Sequence, residues 1–396
     1  MTDKKPVIRS GPLSSRSGKH KGQQPVVAEK DVLSRADPGV PASLPADLVS
    51  DIRGLIESAR GRVAVGINSE MVMLYWDIGS RIKREILLDQ RAEYGKQVID
   101  ALSIWLTERF GTGFSRANLF HMVRFAEVFS GREIVYALSR QLSWTHFRTL
   151  MYLGDPLQRQ FYTEMCRLER WSSRVLDAKV QGMLYERTAL SKKPDELAKK
   201  ELDALRDEDR LTPDLIFRDP YFLDFLGLAD TFSEKDLENA ILRELERFIL
   251  ELGTDFSFIA RQKRITVDHE DFYIDLLFYH RKLHRLVAID LKLGKFRPAD
   301  MGQMELYLRW LDRYERQERE DSPIGLILCA GKSLERIELL QLEDRGIRVS
   351  EYLTELPPRK VLEEKLHAAV RIARDRFDRL GERGGKNPRT ETRHDV

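Results

Sequence analysis

Several things are scarce in this chain of 396 residues, and each scarcity excludes a class of protein. There are two cysteines, Cys166 and Cys329, and no C-x-x-C pair. Structural zinc and a disulfide framework are therefore not expected, and a reducing cytoplasm is. No apolar run reaches the roughly eighteen residues of a membrane span. The N-terminal stretch is polar and basic without an apolar core, so no secretory leader is expected. A surplus of one charge is also missing. Sixty-six Lys and Arg against 64 Asp and Glu leave a formal charge of +2, so a surface for a polyanion must be a local patch. What is present is charge of both signs, 33% of residues, and enough hydrophobic residues, 42%, for real cores. The length predicts two or three domains.

Composition divides the chain. Residues 1–44, rich in Ser, Gly, Pro, Lys and Arg, read as a disordered tail. Residues 45–190 carry helical apolar stripes. Within them, YGKQVIDALSIWLTERFGTGFSRANLFHMVRFAEVF reads as a helix, a glycine-containing turn and a second helix opened by Ser115. That arrangement resembles a helix-turn-helix, and it makes Arg116, Asn118, His121 and Arg124 candidate nucleic-acid contacts. The competing reading is an ordinary α-hairpin in a bundle. Residues 191–212 are charged and read as a linker or solvated helix. Residues 213–365 alternate helical and strand patterns. Residues 366–396 form a basic, helical or disordered tail.

The chemistry concentrates in two adjacent apolar runs, FYIDLLFYH (Phe272 to His280) and LVAIDLKLG (Leu286 to Gly294). Both read as strands joined by a short connection. Side chains two apart share a face, so Ala288, Asp290 and Lys292 point one way, and Tyr273, Asp275, Leu277 and Tyr279 share a face on the other strand. A hairpin can bring Asp275 beside Asp290 and Lys292. Unpaired carboxylates among Ile, Leu and Phe cost several kcal/mol or shift their pKa. A divalent metal, the lysine, or both must compensate. Mg²⁺ takes hard oxygen ligands and keeps waters and phosphate oxygens. Asp275, Asp290 and the Leu291 carbonyl are the candidate ligands, with Lys292 positioned for the attacking water or the developing phosphorane charge. A purely structural Asp–Lys ion pair is the alternative.

Ser233 to Gly253 reads as one amphipathic helix with Ser233 and Asp236 in a capping box. Glu238 falls inside its apolar arc, as a metal carboxylate, a carboxylate behind the metal, or a first-turn acid facing the helix dipole. After Lys292, Pro298 opens another helix on which Gln303 and Tyr307 share a face. That face is a candidate for the site and for a DNA backbone, with Tyr307 alternatively part of the core. Gly331-Lys332-Ser333 lacks P-loop spacing, since Gly325 is one residue too far. His280 and His284 flank a hairpin turn, so a shared metal is not expected.

This order of helix with Glu, strand, strand with Asp, strand with Asp-x-Lys and helix with Gln-x-x-x-Tyr resembles the PD-(D/E)xK nuclease superfamily. FYIDLLFYHRKLHRLVAIDLKLGKFRPADMGQMELYLRWLD is similar to its YhcG-type branch, in which the nuclease domain follows a helical N-terminal domain. The strict Pro-Asp dipeptide is absent, since Ile274 precedes Asp275. The resemblance implies an α+β multi-domain chain, a helical domain followed by a restriction-endonuclease-like αβββαβ domain. It also implies Mg²⁺- or Mn²⁺-dependent hydrolysis of phosphodiesters, DNA first. Asp275, Asp290 and Lys292 would form the core, with Glu238 and Gln303 as accessories. A homodimer would supply two sites for paired cuts. The alternative is a non-catalytic nucleic-acid-binding or protein-interaction module of a defence or mobile-element system.

Overall fold

The computed structural model describes residues 66–84, 92–229 and 231–384. The expected tail at 1–44, the segment from 45 to 65 and the chain after 384 lie outside the described residues.

The first half is helical: α1 (66–84), α2 (Ala92–Phe110), α3 (Arg116–Val128), α4 (Arg132–Ser139), α5 (Trp144–Leu150), α6 (Pro156–Glu169), α7 (Ser173–Gln181) and α8 (Leu184–Arg187). Local chemistry sets the boundaries. Asp155 caps α6, its carboxylate accepting from Leu157 N at 2.8 Å, with Pro156 in the first turn. Gly111 follows α2 at φ 91°, a conformation glycine adopts without a Cβ clash. Close packing also needs glycine at one crossing, where a Cβ on Gly79 would lie 1.9 Å from the Met122 carbonyl oxygen. Phe125, Phe147, Phe161 and Tyr162 fill the centre of this half and are fully buried.

Residues 191–212 do not form a linker or a solvated helix. They carry α9 (Asp195–Glu208), whose Ala198, Leu202 and Leu205 are buried in the same core as α6. Three apolar residues at i, i+4 and i+7 line one face, and burying that stripe outweighs the charge on the rest of the surface. A short helix, α10 (Pro213–Ile216), follows.

The second half is a six-stranded sheet in the order β1-β6-β5-β4-β3-β2. Its strands are β1 (Tyr221–Phe222), β2 (Phe256–Val267), β3 (Glu270–His280), β4 (Arg285–Lys295), β5 (Ile324–Gly331) and β6 (Ile347–Leu353). β2, β3 and β4 form an antiparallel meander, while β4, β5, β6 and β1 run parallel. One face, with Leu276, Phe278, Val287 and Ile289, packs on α11 (Glu234–Arg243) and α12 (Leu245–Leu252). The other, with Leu277, Ala288, Ile327 and Cys329, packs on Met304, Leu308 and Leu311 of α13 (Pro298–Tyr314). The helix expected across 233–253 is thus two helices, broken at Glu244 (φ −107°, ψ 31°).

Two further helices lie in the described residues, α14 (Leu334–Leu340) and α15 (Arg359–Gly384). The basic tail read from residue 366 begins inside α15. There Leu362 and Leu366 pack on Met183, and Arg374 Nε donates to the Ser191 carbonyl at 2.9 Å. The two halves also meet through charge. Arg187 of α8 and Arg218 both reach Glu251 of α12, at 2.5 and 3.0 Å, and both arginine side chains are 4% exposed. The architecture is therefore α+β, a helical part followed by a sheet domain whose core order is αβββαβ.

Candidate active site

The site begins where β3 and β4 separate. Their ladder pairs Leu276 with Ile289 and goes no further toward the end that holds Asp275. The next position would put Asp275 opposite Asp290, so the strand reading placed the two acids correctly. Instead of pairing, the strands fork, and the Asp275 carboxylate fills the gap, its Oδ2 accepting from Leu291 N at 2.8 Å. The N–H and C=O of one strand residue point to the same edge. The Leu291 carbonyl therefore also faces the fork.

The simple alternation read for β3 fails at this point. Ile274 and Leu277 lie in one core while Leu276 and Phe278 lie in the other, so the faces exchange across Asp275. Tyr273, expected on the Asp275 face, is 46% exposed.

Lys292 Nζ lies 2.9 Å from Asp290 Oδ2, and both side chains are largely buried. Burial pushes the Asp290 carboxyl up. The Lys292 contact opposes this, and Asp275 and Asp300 reinforce it, leaving the group at about 7. Burial also pushes Asp275 up, against the hydrogen bonds from Leu291 N and Gln262. Lys292 is drawn down by burial, but Asp290 outweighs that and holds the ammonium above its ordinary value. For both acids burial is the largest influence; at Asp290 the Lys292 ammonium comes next and the like charge of Asp275 after it.

Two buried oxygens here lack a hydrogen-bond partner. They are Asp290 Oδ2, which Lys292 approaches off the hydrogen-bond direction, and Glu238 Oε1. Among the described residues no three His, Cys, Asp or Glu side chains already close on one point as a cage. Two carboxylates and a carbonyl are nevertheless the sparse, all-oxygen set that suits Mg²⁺ or Mn²⁺ with water and phosphate completing the shell. The residues fit such an ion. If it enters at Asp290, a proton must leave. Affinity for Mn²⁺ should then rise about tenfold per pH unit up to about 7 and level off above it. Calorimetric titrations across that range check this, and a pH-independent affinity would remove Asp290 from the ligand set.

The accessory positions separate. Glu238, 8% exposed on α11, accepts from Gln262 Nε2 at 2.9 Å and lies 3.7 Å from Arg261 Nε. Gln303 donates to the Tyr307 hydroxyl, which in turn donates to the Tyr273 carbonyl at 2.9 Å. Tyr307 is 1% exposed, so its ring belongs to the core and offers nothing to a DNA backbone. The helix period that placed it beside Gln303 was sound, but that face turns inward.

Three residues were missed. Gln262 bridges Glu238 and Asp275. Asp300 is buried at the start of α13, with Arg297 N donating to its carboxylate at 2.8 Å. Glu234 accepts from Leu293 N at 3.4 Å. The capping box from Ser233 to Asp236 is present and fixes the start of α11. The exposed Arg261 and Arg264 on β2 add positive charge to that strand.

In the helical half, the expected turn joins α2 to α3, and Asn118 Nδ2 donates across it to the Gly113 carbonyl at 3.1 Å. Arg116 pairs with Asp100 of α2 and lies over the Phe120 ring at 5.1 Å. Arg124 stands 3.8 Å from Glu127. His121 faces the Tyr152 hydroxyl at 2.8 Å, and burial and then Arg148 hold its imidazole below the ordinary range. His121 is thus uncharged at neutral pH, and Arg148, exposed beside it, was not among the expected contacts. His280 is buried and accepts from Leu283 N at 3.1 Å, which keeps it from serving as half of a metal pair with His284.

This forked sheet, flanked by α11 and α13, has the PDDEXK nuclease fold. The family of the YhcG PDDEXK nuclease domain matches residues 214–367, and the DUF1016 N-terminal domain matches residues 51–187. The YhcG protein of Escherichia coli (strain K12) is 35% identical over 343 residues, covering 79% of this chain and 91% of that protein. The chain belongs to the YhcG family of PDDEXK nucleases. A solved structure, a repair endonuclease from Pyrococcus abyssi, covers 33% of this chain and 50% of its own at 22% identity and a TM-score of 0.23, and adds no argument.

Proposed function

We propose that the chain is a divalent-metal-dependent nuclease that cleaves DNA. The observation that carries this is the fork between β3 and β4, with Asp275 and Asp290 facing across it and Lys292 Nζ 2.9 Å from Asp290. Asp275, Asp290 and the Leu291 carbonyl would hold Mg²⁺ or Mn²⁺. When bound, such an ion supplies Lewis acidity to the phosphoryl oxygen and lowers the pKa of the attacking water. Lys292 would donate to the attacking water or to the oxygen on which negative charge develops. Glu238 and Gln303 support the site from outside it. Purified protein should nick or degrade plasmid DNA with Mg²⁺ or Mn²⁺ and stop with EDTA. Cleavage of RNA alone would overturn the choice of DNA, and inertness toward every nucleic acid would overturn the reading as a whole.

The helical half would bind the substrate through the exposed face of α3. Arg116, Asn118 and Arg124 are the contacts proposed, with His121 as a neutral hydrogen-bonding group. Log K for duplex DNA falls by about 0.9 per phosphate neutralised as log salt rises. The Arg116→Ala/Arg124→Ala protein should therefore bind more weakly with a slope flatter by about 1.8. A slope equal to that of the wild-type chain in filter-binding or anisotropy titrations would move recognition elsewhere. A second reading has its own observation. Ile104, Trp105 and Phe110 of α2 are 46–64% exposed, a composition that suits a protein partner or a second copy of the chain. Among the described residues no helix is long and apolar enough to cross a membrane. A cytoplasmic setting is proposed from the free, buried cysteines.

A further inference from the structure

Gln262 occupies a position that its sequence context does not announce. Arg261 pairs with Leu276 and Lys263 with Ile274, so Gln262 stands directly opposite Asp275. Its backbone is left-handed, φ 45°, in the middle of a strand that also carries an irregularity between Phe258 and Ala260. A left-handed non-glycine residue inside a strand is unfavourable and persists only where the surroundings enforce it. Its side chain shows what is gained. Nε2 donates to Glu238 Oε2 at 2.9 Å and to Asp275 Oδ1 at 3.0 Å. An amide nitrogen has two hydrogens, and both are used. The orientation is chemically forced, because the carbonyl end of the amide cannot donate to either acid.

Asp275 is thereby held at both oxygens, Oδ2 by Leu291 N and Oδ1 by Gln262. With both oxygens bonded the carboxylate is held from rotating, which fixes the directions of its remaining lone pairs. Glu238 makes no hydrogen bond to either aspartate. Its contacts are Gln262 and, at 3.7 Å, Arg261. Among the described residues, the hydrogen-bonded link from this glutamate to the fork is that amide, and the neutral donor between two acids replaces a repulsion by two attractions.

We propose that Gln262 is a positioning residue that sets the Asp275 carboxylate for the metal, and that Glu238 acts on the site through Gln262, not as a metal ligand. This rests on the metal-dependent reading above. Partners that orient a ligand from behind typically contribute about ten- to a hundredfold in metal affinity.

The test is calorimetric titration of the full chain with Mn²⁺. Gln262→Met keeps the volume and removes both donors. Gln262→Gly removes the donors and also relieves the left-handed backbone, so its melting temperature should not fall below that of the methionine variant. Both should bind Mn²⁺ about ten- to a hundredfold more weakly than the wild-type chain, and Glu238→Ala should match them. The Glu238→Ala/Gln262→Met protein should be no weaker than Gln262→Met alone, because one path has been cut twice. Wild-type affinity in a folded Gln262→Gly or Gln262→Met protein overturns the role of Gln262. Losses that multiply in the double variant make Glu238 an independent ligand and overturn the path through the amide. A wild-type chain that takes up no Mn²⁺ is a different result, and it overturns the metal-dependent reading itself.

Discussion

Asp290→Ala should abolish phosphodiester cleavage, by on the order of a thousandfold or more, in a protein that stays folded. The two halves of that expectation have separate causes. Activity falls because a buried oxygen that nothing else in the fork replaces is removed. Stability is set by two opposed effects, because the carboxyl is held against its preference while it also partners the largely buried Lys292 ammonium. Its folded value of about 7 lies above the ordinary 3.8, so between those values the native chain keeps a proton that the unfolded chain has lost. Stability therefore drains away as pH rises through that window. Without the carboxyl that pH dependence disappears, so in EDTA the variant's melting temperature should fall less between pH 5 and pH 8 than the wild type's. Lys292→Ala should also lose turnover but keep Mn²⁺ affinity, since the ammonium is proposed to act on water or phosphate. A folded Lys292→Ala protein with full cleavage would reduce Lys292 to the ion-pair partner of Asp290.

Glu251→Ala should have the largest effect on stability, about 3–5 kcal/mol. Glu251 is largely buried and receives three partners: Arg187 at 2.5 Å, Arg218 at 3.0 Å and the Phe222 N–H at 2.9 Å. Burial alone would push its carboxyl up, but the charges of Arg218 and Arg187 outweigh that and hold it below the ordinary range. Its contribution is accordingly present above the ordinary carboxylate pKa and lost as pH falls through the depressed one. Removing Glu251 leaves two guanidinium groups, both in side chains 4% exposed, facing each other without a counter-charge. Arg187 belongs to the helical half and Glu251 to the sheet half, so the variant should also loosen the two from each other. Urea unfolding of Glu251→Ala and Glu251→Gln checks this. A midpoint unchanged in both would mean that the cluster is replaceable by water.

Much of the site was legible because strand period is a strong constraint. Asp290 and Lys292, two apart, follow from alternation, and a hairpin of the two apolar runs suffices to bring Asp275 near them, although the faces of β3 exchange at that residue. The capping box at Ser233 follows from local hydrogen bonding. What the sequence hid needed the third dimension or a broken period. Gln262 reaches Asp275 only because the backbone turns left-handed there, and nothing in ARQKR signals that. Asp300 and Glu234 come near the fork from two different helices. The α9 stripe of Ala198, Leu202 and Leu205 was visible, but the surrounding charge masked it. For Tyr307 the sequence left two readings, a DNA-facing residue and a core residue, and burial decides for the core.

The fork has a consequence for the sheet as well as for the chemistry. Where β3 leaves, the amides of Leu291 and Leu293 would be bare, as on any sheet edge. Carboxylates from Asp275 and Glu234 take them instead, at 2.8 and 3.4 Å. Acids thus stand in for a missing strand, and an open edge is a template for wrong pairing with another chain. Substitution of Asp275 by alanine would strip an acceptor from a main-chain donor, whereas asparagine would retain a carbonyl oxygen at that place. For trapping an intact substrate on an inert but well-behaved protein, Asp275→Asn is the better choice, and poor solubility should distinguish the alanine form.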